Sequence, residues 1–400
     1  MMIRFVLATT IVGWSVCGVA AADVPQFRGG GGSGVADEKG LPTQWSDQEN
    51  MRWKADLPGR GLSNPVIAGG RVYVTSASGF EQKRLHVLCF DEKTGKQLWE
   101  RQFWGTGTTL CHPKTNMAAP TPVTDGERVY ALFATADLAC LDKDGNLVWY
   151  RSLVGDHPTI GNNVGMAASP TLWKDVLIVP MENTGESFVA GIDVKTGENR
   201  WRIERPRGIN WTTPVVLDRQ GKTEVILATP GRFTAHDPTT GKETWRWEGE
   251  CGSAPSPVAG DGVLFVPGGK VTALKLGTHG TPPEIAWQNN KLGTSYTSPT
   301  LYQGLLYTVK SPGVVTCAEA STGKVLWTER VDGNFWASPL AVDGKIYVAS
   351  EEGVVTVLQA GREAKTLASN SLPGAILASP VASGGSLFLR SDKHLYCIGK

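Results

Sequence analysis

The chain has almost no excess charge of either sign. Lysine and arginine number 39, aspartate and glutamate 38, and charged residues are only 19% of 400. A near-neutral surface offers no electrostatic attraction to nucleic acid or to an anionic membrane. Adjacent cysteines are absent, and the cysteines left after Cys17 lack the close spacing of a metal knuckle. Also missing are a nucleophile elbow, a phosphate-binding loop and a paired-carboxylate motif. The run "GGGGSG" is a weak phosphate signal, because no strand precedes it and no helix follows. After the first two dozen residues, no segment is apolar enough to cross a membrane.

What is abundant is punctuation: 48 glycines and 24 prolines indicate many turns and short strands. The N-terminus, "MMIRFVLATTIVGWSVCGVAAADV", has one basic residue, an apolar stretch from Phe5, and Ala20-Ala21-Ala22. This reads as a secretory signal peptide over 1–22, cleaved before Asp23, with an uncleaved anchor as the alternative. Val16 before Cys17 argues against a lipid anchor. An exported protein, periplasmic or extracellular, is expected. Residues 23–50 are expected to be irregular and Gly-rich, draped over the domain formed by 51–400.

That domain is a repeat. A small residue, Pro, an apolar strand, a Gly turn and a second apolar strand recur from "SNPVIAGGRVYVTS" to "ASPVASGGSLFLRS". The marker prolines are Pro65, Pro122, Pro170, Pro214, Pro257, Pro299, Pro339 and Pro380. Each copy continues into two more strands, as in "LHVLCFDEKTGKQLW". Gly95, Gly197, Gly241 and Gly323 give the hairpins between them a residue with positive φ. Four short strands per unit of roughly 40 residues, in tandem, predict an all-β, eight-bladed β-propeller of four-stranded antiparallel blades. Trp99, Trp149, Trp201, Trp245, Trp287 and Trp327 end six units and are expected to hold blade to blade; unit seven places Leu367 there. Unit eight stops at "LYCIGK", one strand short, and "RWKADL" at 52–57 precedes any unit it could end. The N-terminal strand is therefore expected to complete the last blade and close the ring. Cys89, Cys140, Cys317 and Cys397 occupy equivalent points, too far apart to bridge, and read as buried small hydrophobes.

The segment from Cys89 through Asp91, Thr94 and Gly95 to Trp99 resembles the tryptophan-docking pattern of the pyrroloquinoline-quinone-type, or quinoprotein-like, propeller repeat family, with Cys in place of Ala. The resemblance spans about 45–400. It implies the propeller fold but leaves function open. The family holds quinone-dependent alcohol and sugar dehydrogenases, which bind their quinone with calcium and use an Asp base, and also an outer-membrane assembly scaffold.

Two connections are about ten residues longer than the rest: Trp99 to Pro122 and Trp149 to Pro170. These insertions, in 100–121 and 150–169, carry His112, Lys114, Asn116, Asp156, His157, Asn162 and Asn163. They are either a ligand or metal site or a solvated loop pair; the spacing specifies no metal. Three residues before the marker prolines stand Trp211, Tyr296 and Trp336, where other units have Leu62, Ala119, Ala167, Ala254 and Leu377. Aromatic side chains at one height near the channel mouth either stack on a flat ligand or plug the channel. Glu182, Asn183, Lys310, Glu351 and Glu352 lie nearby and add polar contacts in this reading. Cys111 and Cys251, in connections across the ring, are the remaining disulfide candidates.

The expected function is a secreted, non-catalytic binding module or scaffold, a monomer, engaging a protein, peptide or glycan on the insertion-bearing face. A quinone-dependent oxidoreductase using pyrroloquinoline quinone with Ca²⁺ is the alternative, and an outer-membrane assembly scaffold a second one.

Overall fold

The computed structural model describes residues 23–219 and 221–400; the signal-peptide reading of 1–22 lies outside them. Among the described residues the strands form eight four-stranded antiparallel sheets arranged as an eight-bladed β-propeller. Blade one is Val66–Ala68, Arg71–Ser78, Arg84–Asp91 and Gln97–Trp104. The first strand of each blade is short and innermost, meeting its counterparts in neighbouring blades. The two middle strands are nearly continuous apolar runs because neighbouring blades cover both faces; Val176–Met181 is buried throughout. The outer strands lie at the rim and are partly exposed, as in Gln97–Trp104.

The last blade combines both chain ends. Met51–Asp56 pairs antiparallel with His394–Ile398, and Trp53 stands opposite Cys397. In other blades Trp99 faces Cys89, Trp201 faces Gly191 and Trp327 faces Cys317, each beside a register shift. The residue opposite is small because the indole lies on it: a Cβ at Gly191 would fall 2.1 Å from Trp201. Blade seven corrects one expectation. Val357 pairs with Ala368, and Leu367 falls in the register shift. The tryptophan position there is Ala368, because the turn closed from Gln359 to Lys365 is one residue longer than its counterpart from Asp91 to Lys96.

Each indole reaches the next blade. The Nε1 atoms of Trp99, Trp149, Trp201, Trp287 and Trp327 donate to carbonyls of Lys143, Val194, Pro238, Ala320 and Gly361 at 2.8–3.0 Å. Trp245 differs, because blade five has no such turn to receive it. Its indole donates to buried Glu224, which pairs with Arg219 at 2.8 Å, and Arg219 donates to Gly277 and Thr278 of blade five.

The segment before Met51 lacks regular strands but has a fixed course. Val24 bridges Ile67 of blade one, and Pro25 accepts from Thr124 of blade two. Arg28 donates to Pro299 and Thr300 of blade six, Val35 bridges Ala341 of blade seven, and Glu38 accepts from Gly384 and Gly385 of blade eight. Thr124, Gly384 and Gly385 lie at the far ends of the innermost strands, while the long Arg28 side chain reaches to the start of one at Pro299, so the segment crosses the channel end opposite the insertions. Arg28 is buried without a carboxylate partner, and burial pushes its guanidinium down to about 9.

Candidate functional site

The chain reaches the channel mouth just before each marker proline, and the repeat places eight equivalent residues there. Leu62, Ala119, Ala167, Trp211, Ala254, Tyr296, Trp336 and Leu377 all line one funnel. It encloses about 720 Å³, open mouth included. Tyr296 and Trp336 stack on each other, with ring centroids 3.9 Å apart and planes at 22°. Trp211 is held differently. Its indole donates to Gly165 of the second insertion at 3.0 Å. The preceding Asn210 is buried, donating to Glu182 and to the Ala228 carbonyl at 2.8 and 2.7 Å. Glu182 is thereby committed to Asn210 and Arg205 within the fold.

One step down lies a ring that sequence reading registered only as a small residue before proline. Seven of the eight are hydroxyl residues and the eighth is Asn64. Backbone N–H groups of Asn64, Thr121, Ser169 and Thr213 donate in turn to the side chains of Thr121, Ser169, Thr213 and Ser256, at 2.9–3.2 Å. Ser256, Ser298 and Ser338 continue to Ser298, Ser338 and Ser379, each at 2.9 Å. Ser379 returns to Asn64 Oδ1 at 3.0 Å, and the circle is complete. Each bond satisfies a buried N–H where the inner strands are too splayed for a ladder. Phe27 of the N-terminal segment is also in the lining and comes from the far end. The funnel between the rim residues is open at its mouth.

The insertions form the lip. Buried Asp137 anchors the first, accepting from Thr106 N–H at 2.9 Å and from the Thr106 hydroxyl at 2.6 Å. The two insertions are tied together, since Thr115 and His112 both donate to the Val164 carbonyl. Lys114 reaches the lining and pairs with Glu351 of blade seven. Both residues were visible in the sequence as separate polar candidates; only the ring brings them together.

The other lip candidates are not assembled into the funnel. His112 is exposed and its Nδ1 accepts from Lys114 N–H at 3.1 Å, within a turn. His157 caps the helix Leu153–Asp156, contacts Glu186 at 2.9 Å and packs on Phe188. Asn116 is fully buried with neither amide atom partnered. Asn162 accepts from Val164 N–H at 3.0 Å, and Asn163 is exposed. Among the described residues no group of three His, Cys, Asp or Glu is placed to hold a metal ion. Cys111 and Cys251 are free thiols, as are Cys89, Cys140, Cys317 and Cys397. Burial pushes the Cys89 and Cys140 thiols up to about 12 and Cys317 and Cys397 to about 11, so all four stay neutral.

A family model described as outer membrane protein assembly factor BamB matches residues 13–221 and 284–367. Polyvinylalcohol dehydrogenase of a Pseudomonas species is 24% identical over 257 residues, covering 60% of this chain. The matched stretch spans only 36% of that relative's length. BamB from Moraxella catarrhalis superposes with a TM-score of 0.64 at 17% identity, over 87% of this chain and 98% of that one. A europium-containing methanol dehydrogenase superposes at 0.73 and 12% identity, over 93% and 90%. At such identities the solved structures share the fold.

Proposed function

From a chain that belongs to the family described as outer membrane protein assembly factor BamB, a pyrroloquinoline-quinone-type β-propeller family, we propose a non-catalytic binding module. Its partner is a polypeptide that docks on the insertion-bearing face and places a side chain in the funnel. One observation carries this reading: eight equivalent residues converge on an open, aromatic-rimmed funnel whose lining, among the described residues, holds no Asp, Glu, His or Cys. Apolar side chains exposed on the same face support it. Phe80, Trp104 and Leu110 are 83%, 64% and 62% exposed, beside the first insertion. An exported location belongs to the same proposal and rests on the sequence of residues 1–22.

The quinone chemistry of some family members fits these residues poorly. Calcium is a hard cation and takes several oxygen ligands, carboxylates above all. Among the described residues the funnel lining contains no carboxylate, and Tyr296 and Trp336 stack on each other.

The test is photo-crosslinking of exported-compartment proteins and a peptide library, with the photoreactive group at Leu110 or, as control, at Asp261 on the opposite face. Capture of peptides at Leu110 alone, lost in Trp336→Ala, is expected. Equal capture at both positions sinks the reading. Binding to a glycan array in place of peptides reassigns the partner. Stoichiometric pyrroloquinoline quinone binding with Ca²⁺ and dye reduction by alcohols replaces the proposal with the oxidoreductase one.

A further inference from the structure

Beneath the aromatic rim, the throat presents protons with little to receive them. Thr121, Ser169, Thr213, Ser256, Ser298, Ser338 and Ser379 each use the hydroxyl oxygen to accept a backbone N–H from the preceding blade. None of these hydroxyls donates its own proton to a protein acceptor among the described residues, and all but that of Ser256 belong to residues lining the funnel. Accepting one hydrogen bond polarises a hydroxyl and makes it a stronger donor.

Asn64 completes the pattern. Its Oδ1 accepts from Ser379 N–H, which fixes the amide so that Nδ2 is the free end. Asn64 is 2% exposed, lines the funnel, and its Nδ2 has no partner. A buried N–H₂ without an acceptor is costly, so an acceptor is the ligand this position calls for. Among the described residues the only charged side chain in the lining is Lys114, which is paired with Glu351 at the lip, and there is no carboxylate in the lining itself. An anion offers only acceptors, which matches a ring whose unspent groups are donors.

We propose that the throat is a binding site for a compact anion, a halide or a single carboxylate group, held by the hydroxyl and Asn64 amide protons above Phe27. The ring chemistry is the same whether the anion is free or is the carboxylate of a larger ligand resting on the rim. The site stands independently of the polypeptide reading, because the measurement is made on the protein alone.

The experiment is line broadening of the chloride NMR signal by the purified protein, with displacement by acetate and by benzoate at constant ionic strength. Saturable broadening is expected, with displacement by both carboxylates. Benzoate displacing at least tenfold better than acetate identifies an organic carboxylate whose ring uses the rim; equal displacement identifies a free anion. Asn64→Asp keeps an oxygen for Ser379 N–H but replaces the donor with a negative charge, and a loss of affinity of tenfold or more is expected. Unchanged broadening in Asn64→Asp, or none in the parent protein, overturns the proposal. If Asn64→Asp fails to fold, crystals of the parent protein grown in bromide decide. An anomalous peak within hydrogen-bonding distance of Asn64 Nδ2 supports the site, and a throat without one overturns it.

Discussion

The indole of Trp53 donates to the main-chain carbonyl of Glu92 at 2.9 Å. Trp53 lies in the outer strand of the last blade and Glu92 in a turn of the first, so this bond crosses the seam of the ring. It is the same contact that Trp99 makes with Lys143 between blades one and two. The seam is therefore built like the other joints, from a strand nearly 350 residues distant in sequence from its sheet. Buried Arg390 reinforces it, donating to Ser63 and Ser76 of blade one at 3.0 Å.

Removing the clasp should cost more than its length suggests. Trp53→Ala should destabilise the protein by about 3–5 kcal/mol, the range for deleting a buried large aromatic. Deleting 51–57 should lower the melting temperature further, since it exposes the outer edge of His394–Ile398 and the adjoining blade face. Urea denaturation of the two variants measures this, and melting like the parent protein contradicts closure at this joint.

Glycine in a hairpin that receives the indole of the preceding blade has two duties, and they can be separated. Gly197 has φ 75°, and a Cβ there would meet Trp149 at 2.8 Å. Gly262 has φ 74° with open space around its Cβ position. Gly262→Ala should cost about 1–2 kcal/mol from the left-handed backbone alone. Gly197→Ala should cost clearly more, and the difference in urea midpoints reports the displaced indole.

The throat ring predicts an asymmetry between similar substitutions. Ser338→Ala leaves the buried N–H of Ser298 without an acceptor and should cost about 1–3 kcal/mol. Ser338→Thr keeps the oxygen, as Thr121 and Thr213 do at equivalent positions, and should be close to neutral. Thermal melting of the pair distinguishes a structural ring from passive small residues.

Acid should weaken the fold through His236. Burial holds this imidazole below its ordinary value, its Nδ1 contacts the Gly241 carbonyl at 2.9 Å, and its Nε2 is buried without a partner. The folded state thus favours the neutral ring, while the unfolded chain takes up a proton near pH 6.5. Stability should fall as pH drops below about 6.5 and continue falling toward the lower folded value. In His236→Gln the slope of unfolding free energy against pH over this range should be smaller by up to one proton.

The fold was legible because its signals are local and repeated. Pro, the Gly turn and the docked Trp recur in the sequence, and "RWKADL" stood out by lacking a unit to end. Blade seven misled by one residue, since a longer turn cannot be told from spacing when the tryptophan itself is missing. Trp211, Tyr296 and Trp336 were legible as equals in the repeat, whereas the mutual stacking of the last two was not. The hydroxyl ring was in plain view as the residue before each proline, yet its meaning depends on eight blades closing on one another. Phe27 and the course of Arg28 had no periodic signal, because that segment occurs once.

By itself the sequence determined the blade, the number of blades and the strand that closes them, because each is fixed by contacts that recur at constant spacing. Tertiary structure alone decided what the centre is. It brought Lys114 to Glu351, sent His112 and His157 to separate surroundings, placed Phe27 in the channel and joined Asn64 to Ser379. Those contacts link residues distant along the chain, and their geometry exists only once the ring is closed.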